Sequence, residues 1–365
     1  MKFGDLTVTL PIVQGGMGIG VSMSRLAAAV AEEGGVGVIA GAMIGMKEPD
    51  IAKDPIAASN RAMRRELRKA RTATTGVIGV NLMVALTMFS ELAKTSIEES
   101  ADVIFSGAGL PMDLPGIFLD TCEKYNRQYP TKLVPIVSSV RATTVIARKW
   151  TQKYGYTPDA FVVEGPKAGG HLGFARENLG KAEFGLETLL PHILEAVKPF
   201  EDRCGRKIPV IAAGGIYSGD DIGRFLDMGA AGIQMGTRFV ATHECDADER
   251  FKQAYVAARQ EDITIIDSPA GMPGRALFNK FVGSTCSGVR KPFKCAYHCI
   301  KTCEREKSVY CITAALLNAM RGNLEQGFAF CGENVFKIDS IRSVRELIQT
   351  LAQEYEERKY RLACC

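Results

Sequence analysis

Eight short apolar runs, each followed by a helical pattern, limit the folds open to this chain more than any other feature. The runs fall at residues 11–14, 36–40, 77–82, 103–106, 133–138, 160–164, 209–213 and 232–235. Helical patterns such as 24–33, 143–153, 186–197 and 219–228 separate them. Runs that are apolar almost throughout are buried on both faces, as in a parallel sheet. Eight strand-then-helix units in about 250 residues predict a closed TIM (β/α)8 barrel. A doubly wound open sheet is the other arrangement. The pattern assigns residues 1–282 to the barrel. Two stretches stand outside the alternation: a short helical insertion at about 43–72, and a Cys-rich C-terminal extension over 283–365.

The ends of the runs carry the chemistry, because loops at the C-terminal ends of parallel strands build a barrel's site. The first run ends in Gln14-Gly-Gly-Met-Gly18. Glycines there let a flat ring lie against backbone. Asn81, near the end of the third run, is either a satisfied core amide or a ligand contact. The sixth run stops at Glu164-Gly165-Pro166, and a glycine pair, Gly169 and Gly170, then delivers His171. His171 reads as an active-site histidine or as a surface residue in a flexible turn. The seventh run ends in Gly214-Gly215, and Gly236-Thr237 follows the eighth. Loops at those two places commonly hold a phosphate on backbone N–H groups; plain tight turns are the other reading. The stretch from Gly15 to Gly20 is not a dinucleotide fingerprint. Val21 stands where the last glycine belongs, and no acidic residue follows at the expected place.

Charge and composition exclude some classes. A net charge of +4 without aromatic-basic interleaving makes no case for nucleic acid. No apolar run reaches the ~18 residues of a membrane helix. The first ten residues lack a secretory layout, so the expected location is the cytoplasm. Arg61, Arg64, Arg65 and Arg68 recur at spacings of three and four, on one helix face. That stripe is a solvated face or a docking surface for an acidic partner. In a reducing compartment, the eleven cysteines argue for metal or redox use over disulfides. Cys286, Cys295, Cys299, Cys303, Cys311, Cys331, Cys364 and Cys365 all follow residue 280. Cys295 and Cys303 are ~12 Å apart along a straight helix, so ligands of one centre need the segment wound as a loop. Four thiolates suit an iron–sulfur cluster or zinc. The alternative is cysteines packing as small hydrophobes.

Several of these strings combine into a resemblance. Pro11-Ile-Val-Gln-Gly-Gly-Met-Gly18, Gly79-Val-Asn-Leu82, Glu164-Gly165 with Ala168-Gly-Gly-His171, Ala212-Ala-Gly-Gly-Ile216 and Gln234-Met-Gly-Thr-Arg-Phe239 resemble the nitronate monooxygenase superfamily. The likeness covers roughly residues 5–280. That superfamily includes enoyl-acyl-carrier-protein reductase II. The resemblance implies an FMN-binding barrel with cofactor positions at Gly16, Met17, Gly18, Asn81, Glu164, Gly169, Gly170, Gln234 and Met235. It implies phosphate contacts from Gly214, Gly215, Gly236 and Thr237, and His171 as the catalytic histidine. Glu164-Gly165-Pro166 departs from the Asp-Gly of nitronate monooxygenases and looks more like the fatty-acid branch. The tail, Cys295-x3-Cys299-x3-Cys303-x7-Cys311 followed by Gly327-Phe-Ala-Phe-Cys-Gly332, resembles the acyl-carrier-protein dehydrogenase/isomerase branch. That branch adds a [4Fe–4S] cluster to FMN, which implies Cys295, Cys299, Cys303 and Cys311 as its ligands.

The expected activity is FMN-dependent oxidoreduction of an acyl or enoyl thioester, carried on acyl carrier protein or CoA. His171 would remove the proton α to the thioester carbonyl, since imidazole titrates near neutral pH. Two other readings stand beside it: oxidation of alkyl nitronates by O2, again with His171 as base, and a flavoprotein redox sensor with the cluster as its sensor. NAD(P)H or O2 as redox partner, and a homodimer, stay open.

Overall fold

The computed structural model describes residues 1–295 and 297–363, so Cys364 and Cys365 lie outside the described residues. Each expected run contains a strand: β1 (Ile12–Gln14), β2 (Val36–Ala40), β3 (Val77–Met83), β4 (Val103–Gly107), β5 (Lys132–Val137), β6 (Phe161–Glu164), β7 (Val210–Ala213) and β8 (Gly232–Met235). All pair in parallel, and the sheet closes on itself, as a TIM barrel rather than an open sheet. At the closing seam Met235 faces Gln14, and Ala213 lies between Glu164 and Gln234. The strand ends that carry candidate residues therefore finish on one rim.

Inward residues fill the barrel. Val13, Val38, Phe105, Val134, Val162 and Ile211 are buried in one cluster. The N-terminal hairpin, Lys2–Phe3 against Leu6–Thr7, lies beside it, and Phe3 and Val8 join the same cluster. A packed interior leaves the C-terminal rim to hold a ligand.

Helices α1 (Ser24–Glu32), α2 (Pro55–Ala73), α3 (Phe89–Glu98), α4 (Leu114–Lys124), α5 (Val140–Tyr154), α6 (Leu186–Cys204) and α7 (Gly219–Asp227) follow β1 to β7 in turn. Their starts are set locally. Asp54 caps α2 by accepting from the Ala57 N–H, with Pro55 in the first turn. Ser139 caps α5, and Ser218 with Asp221 forms a reciprocal capping box on α7.

Two features refine the sequence picture. The stretch at 43–72 belongs to the alternation: α2 is the crossover between β2 and β3, preceded by a 3-10 turn at Ile44–Lys47. Its arginine stripe is met inside the chain. Arg61 pairs with Asp50 at 2.5 Å, Arg64 with Glu98 at 2.6 Å, Arg65 with Glu48 at 2.5 Å and Arg68 with Glu99 at 2.7 Å. That is how a solvated face behaves. The second feature is the route after β8. Only the four-residue α8 (Thr237–Val240) follows directly. The chain then makes α9 (Glu249–Val256), the hairpin of β9 (Ile263–Asp267) and β10 (Pro273–Leu277), α10 (Lys280–Cys286) and α11 (Ile312–Met320). Last comes α12 (Val344–Ala363), which packs on α7 and α1, where a barrel's eighth outer helix belongs. No helix among the described residues is long and apolar enough to cross a membrane.

Candidate active site

Glycines bring backbone, rather than side chains, to the cavity on this rim. A Cβ at Gly16 would stand 2.3 Å from the Cβ of Asn81, and one at Gly18 would stand 2.8 Å from that of Ala42. The loop after β1 therefore lies flat against the ends of its neighbours. Gly214 and Gly215 have φ of +96° and +80°, which side chains rarely tolerate. A Cβ at Gly214 would also meet the Gly165 carbonyl at 2.8 Å.

Gly16, Met17, Gly18, Asn81, Glu164, Gly169, Gly170, His171, Gly214, Gly215, Gln234, Met235, Gly236 and Thr237 all line this one cavity. Among the described residues, two buried atoms on its wall lack partners: Gln234 Oε1 and Arg238 Nε. Buried polar atoms are normally hydrogen-bonded. A ligand that offers a donor to Gln234 and an acceptor to Arg238 would satisfy both. Backbone-lined glycine turns, an unpartnered amide and a cation beside Gly236 and Thr237 fit FMN, a flat ring system with N–H and carbonyl edges and a phosphate tail.

His171 arrives on a two-residue strand, Gly170–His171, that pairs with β10: His171 faces Gly274, and Gly170 faces Arg275. Its Nε2 lies 2.7 Å from Ser268 Oγ, and its ring meets Phe330 edge-on with centroids 5.0 Å apart. Arg275 pins the approach to it. The buried guanidinium donates to Pro166 O at 2.6 Å and Ala168 O at 2.7 Å, and pairs with Glu333 at 3.3 Å. Such an arginine fixes geometry through its planar fork of donors.

What His171 and Glu164 expose faces the cavity, beneath the rim. Burial there disfavours charge. It draws the His171 pKa down to about 4 and pushes that of Glu164 up to about 7. His171 is therefore neutral at neutral pH, with a lone pair available.

The far end of the chain closes over the cavity. Gly332 N–H donates to Thr237 Oγ1 at 2.7 Å, Glu333 N–H to Lys167 O at 3.1 Å and Asn334 Nδ2 to Gly215 O at 2.6 Å. The Tyr255 hydroxyl donates to Phe330 O. Residues 330–334 form a strap across the loops after β6, β7 and β8. Sequence reasoning noted the string at 327–332 only as a tail motif and passed over Ser268, Arg275 and Asn334. None of the three belongs to a motif, and the only local signal was the turn-forming Ser268-Pro269-Ala270-Gly271.

The clustered cysteines of the tail lie elsewhere. Between α10 and Cys311 the described residues form no helix, as convergence of the thiols requires, and Cys311 immediately precedes α11. Among the described residues, no three His, Cys, Asp or Glu side chains are assembled to hold a metal ion. The expected four-thiolate set is therefore not formed in this geometry. Burial pushes Cys299 up, with Cys311 and Cys295 adding to the shift. Burial does the same to Cys311, with Cys295 and Cys303 adding.

Among solved structures, FabK from Thermotoga maritima is similar at 27% identity and a TM-score of 0.73, covering 98% of this chain and 96% of that one. The nitroalkane oxidase from Streptomyces ansochromogenes has the same fold, with a TM-score of 0.73 at 23% identity and coverage of 97% and 98%. A relative from Rhodococcus jostii, named (3aS,4S,5R,7aS)-5-hydroxy-7a-methyl-1-oxo-octahydro-1H-indene-4-carboxyl-CoA dehydrogenase, is 29% identical over 274 residues, 75% of this chain. The chain spans 64% of that relative's length. A probable nitronate monooxygenase from Bacillus subtilis is 22% identical, covering 95% of this chain and 96% of its own. The sequence profile of the family described as nitronate monooxygenase matches residues 2–124 and 120–354. With nearly its whole length matched, the chain belongs to the nitronate monooxygenase family.

Proposed function

We propose that this chain, with FMN in the rim cavity, oxidises or reduces an acyl or enoyl thioester carried on CoA or acyl carrier protein. The observation that carries the proposal is His171. It is neutral, held from behind by Ser268 and placed on the wall of a glycine-lined cavity. Bound FMN would exchange hydride with the substrate's β carbon. His171 takes or returns the proton on the α carbon. Phe330 fixes one edge of the ring, and Arg275 holds the loop that presents it. The strap shields the reacting carbons from water. Gly214, Gly215, Gly236 and Thr237 would seat the cofactor phosphate, with Arg238 beside them.

The thioester class is supported by relatives named as a CoA dehydrogenase and as FabK, and by Glu164-Gly165-Pro166. Nitronate oxidation is the second reading, favoured by the family description and the Bacillus subtilis relative. An alkyl nitronate has already lost its α proton, so the second reading asks no proton removal of His171. The proposal also gives Cys295, Cys299, Cys303 and Cys311 a [4Fe–4S] cluster, supported by their sequence spacing in a stretch whose described residues form no helix. No catalytic step depends on it.

The test assays FMN-loaded protein on a medium-chain acyl-CoA, the matching acyl-carrier-protein thioester and an alkyl nitronate, side by side. Turnover of a thioester is expected. His171→Ala should keep the flavin and lose roughly 10²–10⁴-fold in rate. Turnover of the nitronate alone would replace the thioester reading with the second one.

A further inference from the structure

A chain of hydrogen bonds runs from the Cys-rich loop to His171. The Thr302 hydroxyl, between Cys299 and Cys303, donates to Ala270 O at 2.8 Å. Ala270 is the third residue of a tight turn closed by Gly271 N–H donating to Ser268 O at 2.9 Å. The Ala270 N–H in turn donates to Ser268 Oγ at 3.1 Å. Ser268 Oγ lies 2.7 Å from His171 Nε2. Ser268 is buried, at 8% exposure, and lies behind the ring, while His171 lines the cavity. Among the described residues no hydrogen bond reaches His171 Nδ1.

We infer that Ser268 is a positioning residue for His171, and that Thr302 of the Cys-rich loop holds Ser268 in place. Ser268 accepts from Nε2–H, which leaves the Nδ1 lone pair for the substrate's proton. The hydroxyl oxygen has two lone pairs: one takes the Ala270 N–H and the other takes Nε2–H. Nε2 keeps its hydrogen when the ring gains a second proton at Nδ1, so the same bond holds both charge states. The ring need not turn between taking the proton and returning it. This role rests on the proposal that His171 handles the α proton.

The test begins with nitrogen-labelled, FMN-loaded protein. Two-bond proton–nitrogen NMR distinguishes Nε2–H from Nδ1–H, and the His171 signals are those lost in His171→Gln. The Nε2–H tautomer is expected in the native chain, and a tautomer mixture in Ser268→Ala. With the thioester, Ser268→Ala should lower kcat about 10–100-fold, on the scale seen when the outer partner of a metal-bound histidine is removed, with KM little changed. Thr302→Val, compared at equal metal content, should lower kcat roughly threefold, about one hydrogen bond's worth. Thr302→Ser should restore it. Thr302→Val should add nothing in the Ser268→Ala background, because both act through one path. An Nδ1–H tautomer in the native chain would overturn the inference. So would full activity in Ser268→Ala, or additive effects of the two substitutions. The expected tautomer and its loss in Ser268→Ala, without thioester turnover, would uphold the positioning and sink only the substrate reading.

Discussion

At the scale of single residues, Glu164 and His171 make opposite demands on pH. Burial raises Glu164 to about 7 and lowers His171 to about 4. The folded chain thus holds the Glu164 proton where the unfolded chain has released it. That stabilises the fold fully below about pH 4.5, and the benefit is lost as pH rises through 7. His171 works the other way: the fold favours its neutral form, so stability is full above about pH 6.5 and is lost as pH falls through 4. Between about pH 4.5 and 6.5 the two slopes oppose and cancel. Each substitution should unmask the other residue. In flavin-free protein, Glu164→Gln should gain stability as pH rises from 4.5 to 6.5, relative to the native chain. His171→Gln should lose it over the same range. Each relative change should be on the order of 2 kcal/mol, read from denaturant unfolding. Parallel curves for all three proteins would show that neither group titrates as its burial requires.

At the scale of elements, the Cys-rich loop is tied to the barrel as well as to itself. Thr87 N–H donates to Cys299 O at 3.1 Å, Lys301 N–H to Ala85 O at 2.9 Å, and Leu86 bridges Ile300. A metal centre there would couple its assembly to the packing of the loop after β3. Anaerobically prepared protein should therefore carry about four irons and four sulfides per chain. Cys299→Ser should lose the iron and open residues 287–311 to proteolysis, while the flavin stays bound. Zinc, or four free thiols and no metal, would remove the iron–sulfur proposal. This element also marks how far the sequence could be read. The strands were legible because two-sided burial writes itself as continuous apolar runs, and the glycine turns because their backbone demands exclude other residues. The strap at 330–334 was not legible. It sits over the cavity because Gly169 lets it approach, and a Cβ there would come within 2.5 Å of the Cys331 backbone. Such fits between residues far apart in the chain leave no periodic trace. Arg275 belongs to no sequence motif, and what marks it out is its carbonyl partners, more than 100 positions away.

At the scale of the whole molecule, the C-terminal region closes the fold that the first strands begin. Helix α12 buries Val344, Leu347, Ile348 and Leu351 in the seam between α7 and α1. The seam is shaped for it: a Cβ at Gly219 would lie 2.3 Å from the Tyr355 backbone nitrogen. Polar contacts reinforce it, with Gly219 N–H donating to Glu354 at 2.6 Å, Arg358 meeting Asp227 at 2.7 Å and Arg345 meeting Glu33 at 2.7 Å. Upstream of α12, the strap ties the same region to the cavity. A tail that was a separate unit would melt by itself and leave the barrel intact. A tail that completes the ring should melt with it, in one cooperative transition. Leu351, fully buried, separates these cases. Leu351→Ala should cost roughly 2–5 kcal/mol. The cost should appear as an earlier unfolding of the entire chain, with FMN released in the same step as loss of helical signal. Calorimetry and flavin fluorescence, recorded together, provide the check. An early transition confined to the tail, followed by flavin release at the unchanged temperature, would mean that the barrel stands without its eighth helix.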